Sequence, residues 1–321
     1  MLPIVTLTLN PAIDGSSEAD VVRPIHKVRT SNERYDPGGG GINVARVVQE
    51  LGAETLAIYL AGGATGAVLD DLLDRRGLPR RRIPIEDHTR ISHVVFERSS
   101  GLEYRFVPEG PQVKGSEWPA CLSALDEIDA EYLVLSGSLP RGVPANFYAL
   151  AAEAAGRKGA KIVLDTSGEA LPATLARGGI ELAKPSRGEF QKLVGRSLET
   201  EAALEDAAFE AVRFGAVRLL AVTLGRDGAL LATAKGVLRL KAPDVSAKSA
   251  VGAGDSFVGA MTFALYQGRE PEDAFAYGVA AGTAATLRPG TQLCSKADVE
   301  RLYAQIREQG LASNQQRRKA F

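Results

Sequence analysis

Six short runs of apolar and β-branched residues (4–9, 55–61, 132–137, 161–166, 180–184 and 219–224) recur between longer stretches of helical pattern. Most are apolar without a break, as strands buried on both faces of a parallel sheet are. The stretches between them read as helices, among them INVARVVQELG, closed by Gly52, and ANFYALAAEAAGRKG, closed by Gly159. This alternation constrains the chain to an α/β fold, a doubly wound and mainly parallel sheet with helices on both faces.

Two regions break the rhythm. Residues 15–36 are polar and irregular, and ISHVVFER and EYRFVPEG flank the turn Ser99-Ser100-Gly101, which predicts a β-hairpin. Together they are expected to form a small inserted β-sheet, a lid. The main domain is then 1–14, 37–89 and 108–310, the lid 15–36 and 90–107, and the polar tail 311–321, whose ASNQQRRKAF is expected to fray. So little sheet cannot bury both faces within one chain, and open edges recruit partners, so a homodimer through the lid is expected.

Composition narrows the function. Lys and Arg number 38 against 39 Asp and Glu, a net charge of −1, so no basic field points to nucleic acid or an anionic membrane surface. The start MLPIVTLTLN has no basic n-region, and no apolar run has the length of a membrane span. Cys121 and Cys294 are too few for a disulfide framework or a zinc site, and His26, His88 and His93 add little toward a transition-metal centre. A cytoplasmic enzyme is the expectation.

Two glycine-rich stretches carry candidate chemistry. In GGGGINVARVV, from Gly38 through Gly41, four missing side chains let a ligand approach the backbone beside a helix N-terminus. Asn43 in the first turn can donate and accept toward a polyol, although a flexible turn would read the same. In KSAVGAGDSFVGAM, 248–261, the N–H groups of Gly252, Ala253 and Gly254 can form an anion hole at the start of an apolar helix. Phe257 stands where a dinucleotide fingerprint needs its third glycine, and the chain has no Gly-Lys dipeptide for a phosphate loop of the Walker kind. Asp255 beside such a hole is either a helix cap or a base that takes a proton from a hydroxyl attacking a phosphoryl group.

NPAID at 10–14, GGGGINVAR, SGSLPRGV at 136–143, KPSRGE at 184–189, TLGRDGA at 223–229 and AVGAGDSFVGA stand in the order found in ribokinase-like carbohydrate kinases, which the chain resembles up to about Leu302. Within that family it is most similar to the minor bacterial type of ATP-dependent 6-phosphofructokinase. AGGATG at 61–66, SSGLEYRF, PGTQLCS at 289–295 and a glycine run without the lysine of GGKG or AGKG carry that likeness. The resemblance implies transfer of the γ-phosphoryl group of ATP to the C1 hydroxyl of fructose 6-phosphate, a step of glycolysis. The rivals are kinases for tagatose 6-phosphate or fructose 1-phosphate, or a sugar-phosphate sensor without turnover.

Carried residue by residue, the resemblance gives Asp255 the role of base, with Gly252, Ala253 and Gly254 around the group in transfer. Asp14, Gly38, Gly39, Gly40, Gly41, Asn43 and Ser138 would hold the sugar. Arg90, Lys27 and Arg29 would hold its phosphate, Lys27 reaching from a partner subunit. Lys184, Ser186, Thr223, Gly225, Arg226 and Gly228 would line the nucleotide site. Glu189 would order the shell of Mg2+ through water, although Ser186 to Glu189 also reads as a capping box, S-x-x-E. A K+ ion would sit against Ser249, Val251, Ala285, Arg288, Gly290 and Gln292. Ser186 replaces the asparagine common in KPNxxE, and Gln292 an arginine.

Overall fold

The structure, a computed structural model, describes residues 1–319, with side chains through residue 309. Among these residues thirteen strands form two sheets: β1 Leu2–Thr8, β2 Ala12–Ala19, β3 Ser31–Gly38, β4 Thr55–Gly62, β5 Arg80–Ile85, β6 Arg90–Glu97, β7 Leu102–Phe106, β8 Ala130–Ser136, β9 Lys161–Asp165, β10 Ile180–Ala183, β11 Val217–Thr223, β12 Ala229–Thr233 and β13 Gly236–Leu240. The larger sheet has the order β13-β12-β11-β10-β9-β8-β1-β4-β5, parallel throughout except for the antiparallel pairings of β12 with β11 and β13.

The unbroken apolar runs are explained by what lies on either side. Successive residues of a strand point to opposite faces. Val5, Leu7, Leu133, Leu135, Ile162 and Leu164 therefore join one core, and Ile4, Tyr132, Val134 and Val163 join the other. The second core is closed by the helices Gly40–Leu51, Ala253–Tyr266 and Pro271–Thr286. Ser256 through Leu265 are buried on every side of their helix. A Cβ on Gly259 would stand 2.9 Å from Val47, so this glycine sets how closely the helix packs on Gly40–Leu51.

The second sheet, order β3-β2-β6-β7, joins β2 and β6 in parallel from Ala12↔Arg90 to Ala19↔Glu97. Half of residues 15–36, the parts 15–19 and 31–36, is strand, with 20–30 irregular between them, and the sheet extends to Ala12 and Gly38, past the expected boundaries. Ser31 through Tyr35 of β3 are exposed, so they carry no apolar alternation to read. Strands β5, β12 and β13 were likewise not expected. The register divides the small sheet in two. Asp14, Ser16, Asp36 and Arg90 share one face, and Tyr35, Ile91, Leu102, Tyr104 and Phe106, all exposed, share the other.

The expected tail, 311–321, lies outside the described side chains; the last helix is Lys296–Lys319. Among the described residues no helix is long and apolar enough to cross a membrane.

Candidate active site

The carboxyl ends of β1, β8, β9, β10 and β11 open on one side of the large sheet, where doubly wound folds place their ligands. Immediately beyond these ends, or at their last residue, come Asn10, Ser138, Asp165, Lys184 and Thr223. The small sheet stands over the β1 end through β2.

Asp255 is not a cap. Gly252 occupies the N-cap position with φ 71°, no side chain caps the helix, and the Asp255 carboxylate accepts from Asn43 Nδ2 at 2.8 Å. The first N–H groups of a helix have no partner within it, so those of Ala253 to Asp255 are available to an anion. Burial pushes the Asp255 carboxyl up to about 7, aided by the charge of Asp165 and opposed by the Asn43 hydrogen bond and Lys184. A carboxylate poised there can accept a proton near neutrality.

Lys184 lies beneath the hole. Its Nζ is 3.4 Å from where a Gly254 Cβ would be and 3.0 Å from Asp165 Oδ1. Burial alone would lower the Lys184 pKa, but Asp165, Glu189 and Asp255 outweigh it and hold the ammonium above the usual lysine range. Burial raises Asp165 despite Lys184. The capping box is present: Glu189 Oε2 accepts from Ser186 N at 2.7 Å and Ser186 Oγ at 2.8 Å. The charge of the same carboxylate also acts on Asp165 and Lys184. Thr223 pairs with Ser186, and Gly225 and Gly228, both at positive φ, turn the chain through Arg226 into β12. Arg226 is exposed.

On the sugar side the four glycines form a wall. A Cβ on Gly38 would strike the Asp14 carboxylate, on Gly39 the Pro11 backbone, on Gly40 Ser136 Oγ and on Gly41 Thr8 Oγ1. Asp14 is pushed by burial up to about 6, opposed by Arg90 and Arg46. Arg90 donates to the carbonyls of Pro108 at 3.0 Å and Asn10 at 2.9 Å, while its buried Nε has no partner. Ser138 accepts from Asn10 Nδ2 at 3.2 Å, and Asn10 Oδ1 is buried without a partner.

Lys27 and Arg29 lie on the segment that links two strands of the small sheet. Both are exposed between β2 and β3, and no described ion pair or hydrogen bond holds either one. The segments around Ser249 to Val251 and Ala285 to Gln292 lie side by side, joined by Lys248 N donating to Thr286 O at 2.7 Å. Ala285 O accepts from Arg288 N, and the Arg288 guanidinium turns to Ser295 and Asp298, leaving backbone oxygens as that region's donors to a cation. Gly290 abuts Ser16 of the small sheet. Asn10, Arg46 and Asp165 belong to the site but were not singled out from sequence; NPAID contained the first and INVAR the second.

Residues 7–298 match the description pfkB family carbohydrate kinase. ATP-dependent 6-phosphofructokinase isozyme 2 of Mycobacterium tuberculosis is 43% identical over 302 residues, 94% of this chain and 88% of that one. The phosphofructokinase-2 of Escherichia coli in complex with fructose-6-phosphate superposes with a TM-score of 0.90 at 40% identity, over 95% of this chain and 99% of that one. Its potassium complex gives 0.91 at 41% identity with the same coverage, and a further structure of it is a tetrameric inhibited form. A 1-phosphofructokinase of Borreliella burgdorferi is more distant, 31% identical over 95% of this chain and 97% of that one.

Proposed function

The chain belongs to the pfkB family of carbohydrate kinases, and from that premise we propose that it transfers the γ-phosphoryl group of ATP to the C1 hydroxyl of fructose 6-phosphate, giving fructose 1,6-bisphosphate and ADP. The observation that carries this reading is Asp255, turned by Asn43 away from its own helix and set beside the free N–H groups of Ala253 and Gly254. The hydroxyl proton passes to the Asp255 carboxylate as the C1 oxygen bonds to the γ-phosphorus. The bond from that phosphorus to the β-γ bridging oxygen breaks, and the electron pair leaves with ADP. The helix start and Lys184 stabilise the charge on the group in flight, and alignment does most of the rest.

Asp14, Asn43, Ser138 and the glycine wall hold the sugar hydroxyls, and Arg90 its phosphate, through the Nη hydrogens that its two carbonyl contacts leave free. Thr223 to Gly228 bind the nucleotide. Glu189 and Asp165, two of the three carboxylates around Lys184, would hold Mg2+, which when bound would neutralise the β- and γ-phosphates. The backbone oxygens of the two adjoining segments at 249–251 and 285–292 suit K+, the ion of the Escherichia coli complex. The exposed apolar face of the small sheet supports a homodimer through the lid, with Lys27 supplied across it. A supply of ATP suits the expected cytoplasmic setting.

The second reading, a fructose 1-phosphate kinase, has less support, because the glycine run lacks a lysine. Release of ADP measured with fructose 6-phosphate, fructose 1-phosphate, tagatose 6-phosphate and no sugar tests the assignment. The largest kcat/KM is expected for fructose 6-phosphate, and a preference for fructose 1-phosphate overturns it.

A further inference from the structure

Arg46 lies one helical turn beyond Asn43 on Gly40–Leu51 and is 8% exposed. Its Nη1 donates to Pro37 O at 2.7 Å and to Asn43 Oδ1 at 3.0 Å, and its Nη2 stands 3.5 Å from Asp36. Asn43 Nδ2 in turn donates to Asp255 Oδ2. The two ends of an amide have nearly the same shape, so contact with Asp255 alone does not hold its orientation. Arginine can only donate. It therefore takes the amide oxygen and leaves the NH2 for the carboxylate.

We propose that Arg46 is a positioning residue for the phosphoryl transfer: its guanidinium locks the Asn43 amide with the NH2 on Asp255, so that the carboxylate meets the sugar hydroxyl in one fixed pose. This rests on Asp255 being the base. The seat of Arg46 is built from two other parts of the chain. Asp36 of β3 also pairs with Arg76 and accepts from Thr291 Oγ1 at 2.8 Å. The small sheet and the segment at 289–292 thus meet behind the helix that carries Asn43.

The charges around both groups set the direction of a pH effect. Asp255 is faced by Asp165, Lys184 and Asp14, with Glu189 beyond Lys184; Arg46 is faced by Arg76, Asp36, Asp14 and Asp255. Burial and Arg76 bring the Arg46 pKa down to about 10, so it stays charged at neutral pH. The Asn43 hydrogen bond lowers the proton affinity of Asp255. Freeing the amide removes that help, and the acid limb of kcat should move to higher pH.

Arg46 also lines an open cleft of about 590 Å³ with Arg34, Arg76 and Arg288, so its seat can be reached from solvent. The test uses Arg46→Ala, Arg46→Met and Asn43→Ala in the full-length protein, with thermal melting before kinetics. For Arg46→Ala we expect kcat to fall about tenfold or more, with the KM for ATP nearly unchanged and the acid limb moved up. Millimolar guanidinium should restore part of the rate in Arg46→Ala but not in Arg46→Met, whose thioether fills the seat. On an Asn43→Ala background, losing Arg46 should shift the limb much less, by the direct effect of its charge on Asp255 alone.

A folded Arg46→Ala, or Arg46→Met where alanine does not fold, with the wild-type kcat and acid limb overturns the proposal. So does a loss confined to KM, or a limb shift that adds in full to that of Asn43→Ala. A wild-type protein with no sugar-phosphate-dependent ADP release overturns the reading beneath it, and this inference with it. An active wild type with an unmoved Arg46 profile overturns this inference alone.

Discussion

Lys184 Nζ and Asp165 Oδ1 stand 3.0 Å apart beneath the helix start that carries Asp255, with side chains only 7% and 14% exposed. Each member favours the charged form of the other, although burial still raises Asp165, and removing one leaves the other uncompensated at a cost of about 3–5 kcal/mol. The two single substitutions should move the pH profile in opposite directions. Asp165→Asn removes a like charge from Asp255 and should carry the acid limb of kcat to lower pH. Lys184→Met removes the cation and should carry it higher, with weaker ATP binding. Limbs that move together would show that the pair does not set the proton affinity of Asp255.

Asp255→Asn keeps the shape and can still accept from Asn43. As the loss of a base it should lower kcat by about a hundredfold, with little change in either KM. Its stability effect has a definite sign. A carboxyl raised from 3.8 to about 7 stabilises the fold below pH 4, and that contribution is lost as pH rises through 7. Wild type therefore carries a buried charge at pH 8 that the amide does not. One pKa unit corresponds to about 1.4 kcal/mol, a ceiling of about 4, and solvent reaching the carboxyl through the cleft brings the expected gain to about 1–2 kcal/mol. The variant should melt higher than wild type at pH 8, with a shrinking difference toward pH 5. A variant with near-normal turnover at pH 8 would show that the base lies elsewhere.

Arg90→Ala should raise the KM for fructose 6-phosphate about tenfold or more, since a charge-assisted hydrogen bond contributes about 1.5–3 kcal/mol. ATP binding should change little, because the carbonyls that hold Arg90 belong to Asn10 and Pro108, on the sugar side. Isothermal titration with each ligand separately checks the split. A larger loss for ATP places Arg90 wrongly.

Ile91 and Phe106 share the exposed face of the small sheet. Ile91→Asp with Phe106→Asp should give a monomer in sedimentation velocity, because burying two added carboxylates per copy in an apolar contact is strongly unfavourable. The monomer should also bind sugar phosphate more weakly. An active wild-type monomer at assay concentration would refute assembly through this face.

What could be read in the sequence was local. Gly252 to Asp255, Lys184 and the turn 223–228 are contiguous motifs, and each stands where its neighbours in the chain put it. The partners are not local. Asn43 meets Asp255 across 212 residues and Asn10 meets Ser138 across 128, and neither distance leaves a periodicity to detect. Asp165 reads as the end of a buried strand until Lys184 is seen against it. The bounds of the edge strand β3 escaped for another reason. Ser31 through Tyr35 are exposed, and only pairing identifies them, whereas the equally exposed β7 was marked by the turn of its hairpin. The capping box at Ser186 and Glu189 was legible, yet it did not exclude a second role, because one carboxylate can accept from the helix start and act on Asp165 and Lys184 at once.

The wall from Gly38 to Gly41 bears on how this cleft could evolve. Specificity usually drifts by exchanging side chains, and this stretch has none to exchange. Any added carbon meets Asp14, Pro11, Ser136 or Thr8 before it reaches a substrate. A lineage selected for a different sugar could not remodel that side one methyl group at a time. The available variation lies opposite, in Asp14, Ser138 and Arg90, and in the tilt of the sheet that carries two of them. Divergence toward a new substrate should therefore alter a glycine, as in the runs GGKG and AGKG, only together with what packs against it, or else be written in the lid.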